Sequence, residues 1–416
     1  MLLLRRSLMQ ILMSLFGIFV MVLLAYGLSS SRSHIQWRTV VSGIILQFVF
    51  ALFILKTDAG FWFFDGAKSA FASILNFTQA GSDFVFGPLA SGEKMKGFVF
   101  ATMVLPTIIF MSSLMSVLYH MGVMQKLVEW TAKLMVIVMK TSGAESLSAA
   151  ANIFVGQTEA PLVVKPFIEK MTQSELMALM TGGMATVAGG VLAAYVGLGV
   201  DAGHLLAASV MSAPAALVMA KLLVPETESS VTEGVVKIDL PKTSVNFIDA
   251  AAEGAADGLK LALNVGGMLL AFIALIALVN GFLTWFGGLV GYPQLTFEFI
   301  MGYLFAPFAL LLGVPWEECL QVGTLLGKKT VVNEFVAYLD LQALMKEGAL
   351  SKRSTVIATY ALCGFANFSS IAIQIGGIGS IAPSRKKDLA KLGVKSLIGG
   401  TLACFMTAGI AGLLIG

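Results

Sequence analysis

Residues Asn152 to Phe167 read NIFVGQTEAPLVVKPF, with Gln157, Thr158 and Glu159 side by side between two short apolar runs. Neither run can cross a bilayer, because a hydrocarbon core about 30 Å thick requires roughly 20 apolar residues. Polar, irregular backbone persists at membrane depth only where it faces protein or a water-filled cavity. We therefore predict two half-helices that meet at a polar tip and form the wall of a binding site.

The composition of the whole chain indicates a membrane protein. Of the 416 residues, 57% are hydrophobic and only 12% are charged, and the mean hydropathy is +0.87. A typical soluble domain has about twice this share of charged residues. We predict an all-α polytopic protein in a lipid bilayer, with about eight spans, two re-entrant hairpins and further interfacial helices.

The sequence excludes several functional classes. Cys319, Cys363 and Cys404 lie far apart in apolar sequence, which indicates buried thiols rather than disulfides or a metal site. The three histidines are isolated, and no H-E-x-x-H pattern is present to bind zinc. No pairing of a nucleophile with a base is evident. We therefore predict that the chain is not an enzyme, carries no cofactor and binds no nucleic acid.

Apolar runs divide the first half into spans and interfacial helices. The runs from Ile11 to Leu28, Val40 to Leu55 and Phe98 to Leu118 are long enough to be predicted spans. Two further segments mix aromatic or apolar residues with polar ones, which is typical of helices lying in the membrane interface. These segments are Gly60 to Asn76 and Val123 to Met139.

Two span-length runs carry a polar or glycine-rich interruption near their centre. Leu176 to Val200 contains the sequence TVAGG at Thr186 to Gly190, and Thr355 to Ile381 contains GFANFSS at Gly364 to Ser370. Glycine makes helix continuity costly, so we predict a break in both spans. Each broken span is followed by an intact one, and these are Leu205 to Val224 and Leu389 to Ile415.

The second half begins after the long polar stretch from Pro225 to about Thr243. An amphipathic lead, Phe247 to Gly258, runs into a span from Leu259 to about Phe286. Leu295 to Val314 is apolar but contains a proline, and both a crossing and a dipping segment are compatible with it. Pro315 to Tyr338 has short apolar pieces around Glu334, which predicts a second hairpin.

The two halves share one order of elements: a hairpin with a carboxylate at its tip, a broken span and an intact span. Glu159 and the Thr186 break correspond to Glu334 and the Asn367 break. Paired interruptions of this kind are the sequence signature of an inverted-repeat transporter with its substrate and ion near the bilayer midplane. The predicted regions are a scaffold at 1–122, a first transport repeat at 123–224, a polar loop with a scaffold span at 225–290, and a second transport repeat at 291–416.

Basic residues before the last span predict the orientation of the chain. Arg385, Lys386 and Lys387 precede it and Lys391 and Lys395 lie in its first two turns, and such clusters favour the cytoplasmic side. We therefore predict a multi-pass membrane protein with both termini on the outer face.

Three polar motifs resemble the signatures of the concentrative nucleoside transporters in their short bacterial form. They are GQTEAP at Gly156 to Pro161, NEFVAY at Asn333 to Tyr338 and CGFANFSSIAI at Cys363 to Ile373. The resemblance extends over essentially the whole chain. It implies a symporter that carries nucleosides inward down a cation gradient. It also implies a homotrimer in which a trimerisation scaffold supports a mobile transport domain containing both hairpins.

The chemistry of a nucleoside suits the polar residues of these motifs. A nucleobase edge requires groups that both donate and accept, and a carboxylate is a strong acceptor for the ribose hydroxyls. The predicted substrate residues are Gln157, Thr158 and Glu159 for the base edge, Glu334, Asn367 and Ser370 for the ribose, and Val191, Leu261 and Phe365 for the apolar faces of the ring.

The resemblance places a cation between the first hairpin and the break that follows it. The implied ligands are Asn152, Val155, Thr186 and Val187, with the two valines contributing backbone carbonyls. Several oxygen ligands of this kind suit a hard ion, and the pair Asn152 and Thr186 favours sodium.

Two other functional classes, a channel-like or facilitative pore and a membrane-bound enzyme acting on a nucleoside or lipid, have no supporting feature in the sequence. Three narrower alternatives remain open. A proton could replace sodium and pass through Glu159 or Glu334. The substrate could be a related compound such as a free nucleobase. Each carboxylate could also have a purely structural role by pairing with a nearby lysine, Lys165 for Glu159 or Lys329 for Glu334.

Overall fold

The computed structural model describes residues 2–90, 99–234 and 244–415, and these contain helices but no strand. The helices of the first half are α1 (Leu2–Gly27), α2 (Trp37–Lys56), α3 (Asp58–Phe86), α4 (Phe100–Met103), α5 (Leu105–His120), α6 (Val123–Met139), α7 (Gly143–Asn152), α8 (Ala160–Val163), α9 (Lys165–Ile168), α10 (Gln173–Ala185), α11 (Gly189–Gly197) and α12 (Ala202–Leu223). Those of the second half are α13 (Phe247–Leu289), α14 (Phe297–Leu311), α15 (Cys319–Val331), α16 (Glu334–Lys346), α17 (Lys352–Leu362), α18 (Phe368–Ile381) and α19 (Lys386–Leu414).

The number of spans agrees with the sequence prediction. Within the described ranges, 7 helical stretches are long and apolar enough to cross a membrane. They are Leu8–Gly27, Trp37–Lys56, Phe100–His120, Gln173–Gly197, Ala202–Leu223, Phe247–Leu289 and Pro383–Leu414. Helix α18, the second part of the other broken pair, is apolar but shorter. The prediction of an all-α polytopic membrane protein with about eight spans is confirmed.

The apolar segment from Leu295 to Val314, for which the sequence is compatible with either crossing the bilayer or dipping into it, contains helix α14. This helix has 15 residues and a length of about 22 Å at 1.5 Å per residue, which is shorter than a hydrocarbon core of about 30 Å. It packs along α15, where Thr324 Oγ1 donates to Glu298 O (3.2 Å) and Lys328 forms an ion pair with the Glu298 carboxylate (3.0 Å). Helix α14 is therefore too short to cross the bilayer alone.

Burial separates central from peripheral helices. The apolar windows of α10–α11 and α12 are 94% and 89% buried, and that of α19 is 78% buried, whereas that of α13 is only 17% buried. Glycines allow the central helices to approach closely, and the Cβ position of Gly399 lies 3.1 Å from the Thr181 side chain. The two predicted repeats thus contribute the middle of the molecule.

Helix α13 lies at the periphery and pairs with α5. The predicted amphipathic lead and span form one continuous helix of 43 residues, or about 65 Å. A Cβ on Gly258 would lie 2.7 Å from Ile109 Cα, so the glycine permits close packing of the two helices. Ser113 Oγ of α5 donates to Ala251 O of α13 at 2.8 Å.

Candidate functional site

The first hairpin has one helical arm and one irregular arm. Helix α7 begins at a capping box formed by Ser142 and Glu145 and ends at Asn152. The returning arm consists of two four-residue helices, α8 and α9, each with a proline near its start, Pro161 and Pro166. Proline lacks the N–H of a continuing helix and clashes with the preceding turn. The prediction of two half-helices is therefore right for the first arm and wrong for the second.

The two predicted breaks meet in the centre of the molecule. Helices α10 and α11 are separated at Thr186, and α17 and α18 are separated between Cys363 and Asn367. Phe365 N in the second break donates to Thr186 O in the first at 3.1 Å. Cys404 Sγ of α19 lies between the breaks, 3.6 Å from Ala185 O and 3.5 Å from Cys363 O. The two interrupted helices thus share one core.

Four predicted substrate residues form one continuous hydrogen-bonded series, which we call the polar chain. Gln157 Nε2 donates to Ser370 Oγ (3.0 Å), Ser370 N donates to Asn367 Oδ1 (2.9 Å), and Asn367 Nδ2 donates to Glu334 Oε2 (3.0 Å). All four side chains are buried. The polar chain joins the tip of the first hairpin to the start of α18 and to the second hairpin, which are far apart in sequence.

Two residues that extend the polar chain were missed by the sequence analysis. Tyr195 OH of α11 donates to Glu334 Oε1 at 3.0 Å, and Gln374 Nε2 of α18 donates to Gln157 Oε1 at 3.1 Å. Both lie inside apolar runs, so composition gives little sign of them. The available signal for Gln374 was its amide side chain within a mostly apolar helix, where polar groups commonly form interhelical hydrogen bonds.

A cavity of about 280 Å³ lies beside the tip of the first hairpin, between α5, α11 and α13. Three of the predicted residues line it, and these are Val155, Glu159 and Leu261. Polar groups of α5 and α13, including Tyr119 and Asp257, line the same cavity. The cavity is comparable in size to the smaller ligand pockets of proteins, which start at about 300 Å³.

Three predicted substrate residues, Thr158, Val191 and Phe365, belong neither to the polar chain nor to the lining of this cavity. Thr158 is exposed, and its Cγ2 lies 3.4 Å from the Cβ position of Gly377 on α18. Val191 of α11 is buried, and Phe365 in the second break is half-buried. Both are apolar and lie within the helices or breaks that carry the polar residues.

Neither carboxylate of the predicted site forms a close ion pair with a lysine that the structure describes. Among the side chains that the structure describes, no basic group lies within 4.0 Å of the Glu159 or Glu334 carboxylate. Lys329 Nζ instead donates to the backbone carbonyl of Ala361 at 2.8 Å. The alternative in which Lys165 and Lys329 form structural ion pairs with these carboxylates is wrong.

Two of the predicted ion ligands lie at or just after the end of α7 and two lie in the first break, and each has an oxygen available. Asn152 Nδ2 donates to Ser148 O (2.9 Å), while Asn152 Oδ1 is buried without a hydrogen-bond partner among the described residues. Thr186 Oγ1 donates to Gly182 O (2.9 Å) and keeps its lone pairs free to accept. An unpaired buried oxygen is costly unless another group satisfies it.

Backbone carbonyls complete this group of oxygens. Across residues 2–90, 99–234 and 244–415, no hydrogen bond to the carbonyl oxygen of Val155 or Val187 is found. Gly182 brings α10 against α7, because its Cβ position lies 3.0 Å from Asn152 Nδ2. Uncommitted carbonyl, amide and hydroxyl oxygens are the ligands that a hard monovalent cation requires.

Three sequence profiles of one transporter family match most of the chain. The profile described as Na+ dependent nucleoside transporter C-terminus matches residues 204–412, and its N-terminal counterpart matches residues 16–89. The profile called Gate, described as nucleoside recognition, matches residues 101–201. The second and third of these include α2, α3 and the whole first hairpin.

Individual relatives are similar over nearly the full chain. An "Uncharacterized transporter" of Haemophilus influenzae is 48% identical over 412 residues, which cover 98% of this chain and 99% of that protein. "Solute carrier family 28 member 3" of Homo sapiens is 46% identical over 97% of this chain. The match spans only 60% of the length of that human protein. These relatives are transporters, in agreement with the prediction that the chain is not an enzyme.

Solved structures of the transporter CNTnw have the same fold and are 46% identical in sequence. CNTnw in an inward-facing substrate-bound state superimposes with a TM-score of 0.93 over 97% of this chain and 98% of that chain. A doubly substituted variant of CNTnw in an outward-facing state superimposes with a TM-score of 0.92 over 97% of this chain and 97% of that chain. The motifs, the paired breaks and these similarities agree: the chain belongs to the family of Na+-dependent nucleoside transporters.

Proposed function

We propose that this protein imports nucleosides together with sodium, and that the polar chain is the core of its substrate site. The observation that carries the proposal is the hydrogen-bonded connection from Gln157 to Glu334, which joins both hairpins at the meeting point of the two breaks. A substrate that spans this point would contact both repeats. A nucleoside has the required two ends, one a base and one a sugar.

Each part of a nucleoside has suitable partners at this site. We assign Glu334, Asn367 and Ser370 to the ribose, because a buried carboxylate with neighbouring amide and hydroxyl groups is a strong partner for adjacent hydroxyls. Gln157, Thr158 and Glu159 would bind the base edge. The apolar contacts to the ring would come from three further residues, and these are Val191, Leu261 and Phe365.

Sodium would bind next to the substrate on the same hairpin. Asn152 Oδ1, Thr186 Oγ1 and the carbonyls of Val155 and Val187 supply oxygens that are free to accept. Asn152 ends α7 only a few residues before Gln157. Sodium bound at Asn152 would therefore fix the hairpin tip in the position that the nucleoside needs, which makes binding of the two solutes mutually dependent.

The transport cycle would follow from the division into a scaffold and a mobile part. We assign residues 1–122 and 225–290 to the scaffold, which would form a homotrimer in the bacterial inner membrane. Residues 123–224 and 291–416 would form the transport domain, whose movement exposes the site to each side in turn. The central burial of α10, α12 and α19 supports a rigid transport domain.

Uptake by purified protein in liposomes tests the coupling ion. We expect an inward sodium gradient to accelerate uptake of radiolabelled uridine, and a proton gradient of equal size without sodium to have little effect. Asn152→Ala removes the unpaired oxygen, so the sodium concentration for half-maximal uptake should rise about tenfold, or ~1.4 kcal/mol. The control is Asn76→Ala, the same substitution at an exposed position of α3.

Two results would contradict the proposal. Uptake that follows the proton gradient and ignores sodium would instead assign coupling to a proton, with Glu159 or Glu334 as its carrier. Uptake of free uracil in place of uridine would indicate a nucleobase as the substrate, because uracil lacks the hydroxyls that Glu334 is proposed to bind.

A further inference from the structure

The side chain of Gln374 holds the amide of Gln157 in one orientation. Gln374 is 1% exposed, and its Nε2 donates to Met180 O (3.0 Å) as well as to Gln157 Oε1 (3.1 Å). Met180 O is a backbone carbonyl and can only accept a hydrogen bond. The nitrogen of Gln374, and not its oxygen, must therefore face both Met180 and Gln157.

This constraint fixes which end of the Gln157 amide points into the site. An NH₂ group only donates, so the atom of Gln157 that faces Gln374 must be its oxygen. Gln157 Nε2 consequently points the other way and donates to Ser370 Oγ at 3.0 Å. That direction leads along the polar chain to Glu334, which is where the substrate is proposed to lie.

Packing keeps the two amides together. A Cβ on Gly183 of α10 would lie 2.7 Å from Gln374 Nε2 and 2.8 Å from Gln157 Cβ, so both side chains lie directly against the backbone there. Gln374 Oε1 has no hydrogen-bond partner among the described residues. The Gln374 amide is thus held through its nitrogen alone. The main effect of its hydrogen bond to Gln157 is to orient the Gln157 amide.

We propose that Gln374 determines base specificity by making Gln157 present a hydrogen-bond donor to the nucleobase, namely the second N–H of its NH₂ group, since the first is donated to Ser370 Oγ. The proposal rests on the nucleoside function proposed above and narrows its substrate class. Bases with a carbonyl at the position that meets Gln157, such as uracil and hypoxanthine, accept this hydrogen bond. Cytosine and adenine carry an amino group at the corresponding position, so two donors would face each other and remain unpaired. Unpaired buried polar groups discriminate strongly between substrates.

Removing Gln374 should relax this preference. The terminal torsion of a glutamine side chain has two broad wells of similar energy, so Gln157 could then rotate and offer either its oxygen or its nitrogen. Methionine has a similar length and shape but donates no hydrogen bond. Gln374→Met therefore removes the constraint on Gln157 with little change in packing.

Equilibrium binding of three nucleosides in saturating sodium tests the proposal. The ligands are uridine, cytidine and the pyrimidin-2-one riboside, which has only hydrogen at position 4. We expect the wild-type protein to bind uridine about tenfold more tightly than cytidine, and Gln374→Met to reduce this ratio to about threefold or less. The Kd of the pyrimidin-2-one riboside should stay the same, which verifies that the variant is folded.

The matched control is Gln47→Met, because Gln47 is also a buried glutamine and its Nε2 donates to Thr407 Oγ1 at 2.8 Å, away from the site. It should retain the wild-type ratio of uridine to cytidine affinity.

A wild-type protein that binds cytidine as tightly as uridine overturns the proposal, and so does Gln374→Met with an unchanged ratio. If Gln374→Met fails to fold, the ratio of uridine to cytidine affinity, measured for the wild-type protein and for Gln374→Leu, still tests the proposal. Failure of the wild-type protein to bind any of the three would refute nucleoside binding itself.

Discussion

At the scale of single residues, the proposed ribose site depends on the carboxylate of Glu334. Both of its oxygens face donors, because Tyr195 OH lies 3.0 Å from Oε1 and Asn367 Nδ2 lies 3.0 Å from Oε2. The orientation of the Asn367 amide is itself fixed, since its Oδ1 accepts from Ser370 N. A carboxylate accepts at both oxygens and has capacity left for a ligand hydroxyl.

Replacing this carboxylate by an amide should weaken nucleoside binding without unfolding the protein. Glu334→Gln keeps the shape but removes the charge and replaces one of the two acceptor oxygens by an NH₂ group, which only donates. We expect uridine affinity measured by calorimetry to fall about 10- to 100-fold, or ~1.5–3 kcal/mol, which is the usual value of a hydrogen bond to a charged group. The melting temperature should change little.

Glu298→Gln is the matched control, because this carboxylate also accepts from an amide, Asn280 Nδ2 at 2.8 Å, but lies outside the polar chain. It should bind uridine with wild-type affinity. Undiminished uridine binding by Glu334→Gln would remove Glu334 from the substrate site.

Individual residues of the site were predictable from sequence, whereas most of their pairings were not. Glu159, Glu334 and Asn367 were predicted because their motifs resemble those of the nucleoside transporters, and the rarity of ionisable groups at membrane depth supported the two carboxylates. The partner of Gln157 is Gln374, 217 positions away. Only the folded arrangement of α7, α10 and α18 brings the two amides together, and no local pattern in a single sequence contains that information.

At the scale of secondary-structure elements, a buried charged cluster fastens the base of the first hairpin to two central helices. Lys221 Nζ of α12 lies 2.6 Å from Glu145 Oε2 of α7, 2.9 Å from Ser174 Oγ of α10 and 3.4 Å from Glu226 Oε2. The Lys221 and Glu145 side chains are 8% and 2% exposed. A movement of the hairpin would therefore carry α10 and α12 with it.

Breaking this cluster should destabilise the protein strongly. Lys221→Met leaves the Glu145 carboxylate buried without its partner, and loss of one member of a buried ion pair typically costs about 3–5 kcal/mol. We expect a clear fall in the thermal unfolding temperature of the detergent-solubilised protein. Lys260→Met is the control, since the Lys260–Asp257 pair is exposed (75% and 72%) and contributes little.

A double substitution separates the loss of a charge partner from the loss of packing. Lys221→Met combined with Glu145→Gln removes both charges, so part of the lost thermal stability should return. If Lys221→Met unfolds at the wild-type temperature, the cluster does not hold the hairpin in place.

The elements themselves followed from sequence wherever the signal was local. Span length, the two breaks and the paired order of the halves all come from runs of apolar residues and their interruption. The irregular arm of the first hairpin also has a local cause in the sequence, because Pro161 and Pro166 prevent a continuous helix. It was not predicted because short apolar flanks around a polar tip suggest two symmetric helical arms.

At the scale of the whole molecule, several loops gather at one end of the helix bundle. Arg385 Nη1, from the basic loop before α19, donates to Met171 O (2.7 Å) and Glu169 O (3.0 Å) at the base of the first hairpin. Ser30 N, after α1, donates to Leu223 O at the end of α12 (2.9 Å). These segments must therefore lie on the same side of the membrane.

The positive-inside rule then predicts which side this is. The end with Arg385 also carries the lysines at the start of α19, so it should face the cytoplasm, and the far end of α13 near Tyr292 should face outward. The three cysteines are all buried, which keeps background labelling low. A membrane-impermeant maleimide applied to intact spheroplasts should label Tyr292→Cys and leave Ser384→Cys unmodified until the membrane is permeabilised. Tyr292 and Ser384 are both exposed in the fold, so protection of Ser384→Cys reflects the membrane barrier and not burial. The reverse labelling pattern would contradict the proposed orientation. It would also reverse the side from which the first hairpin enters the bilayer.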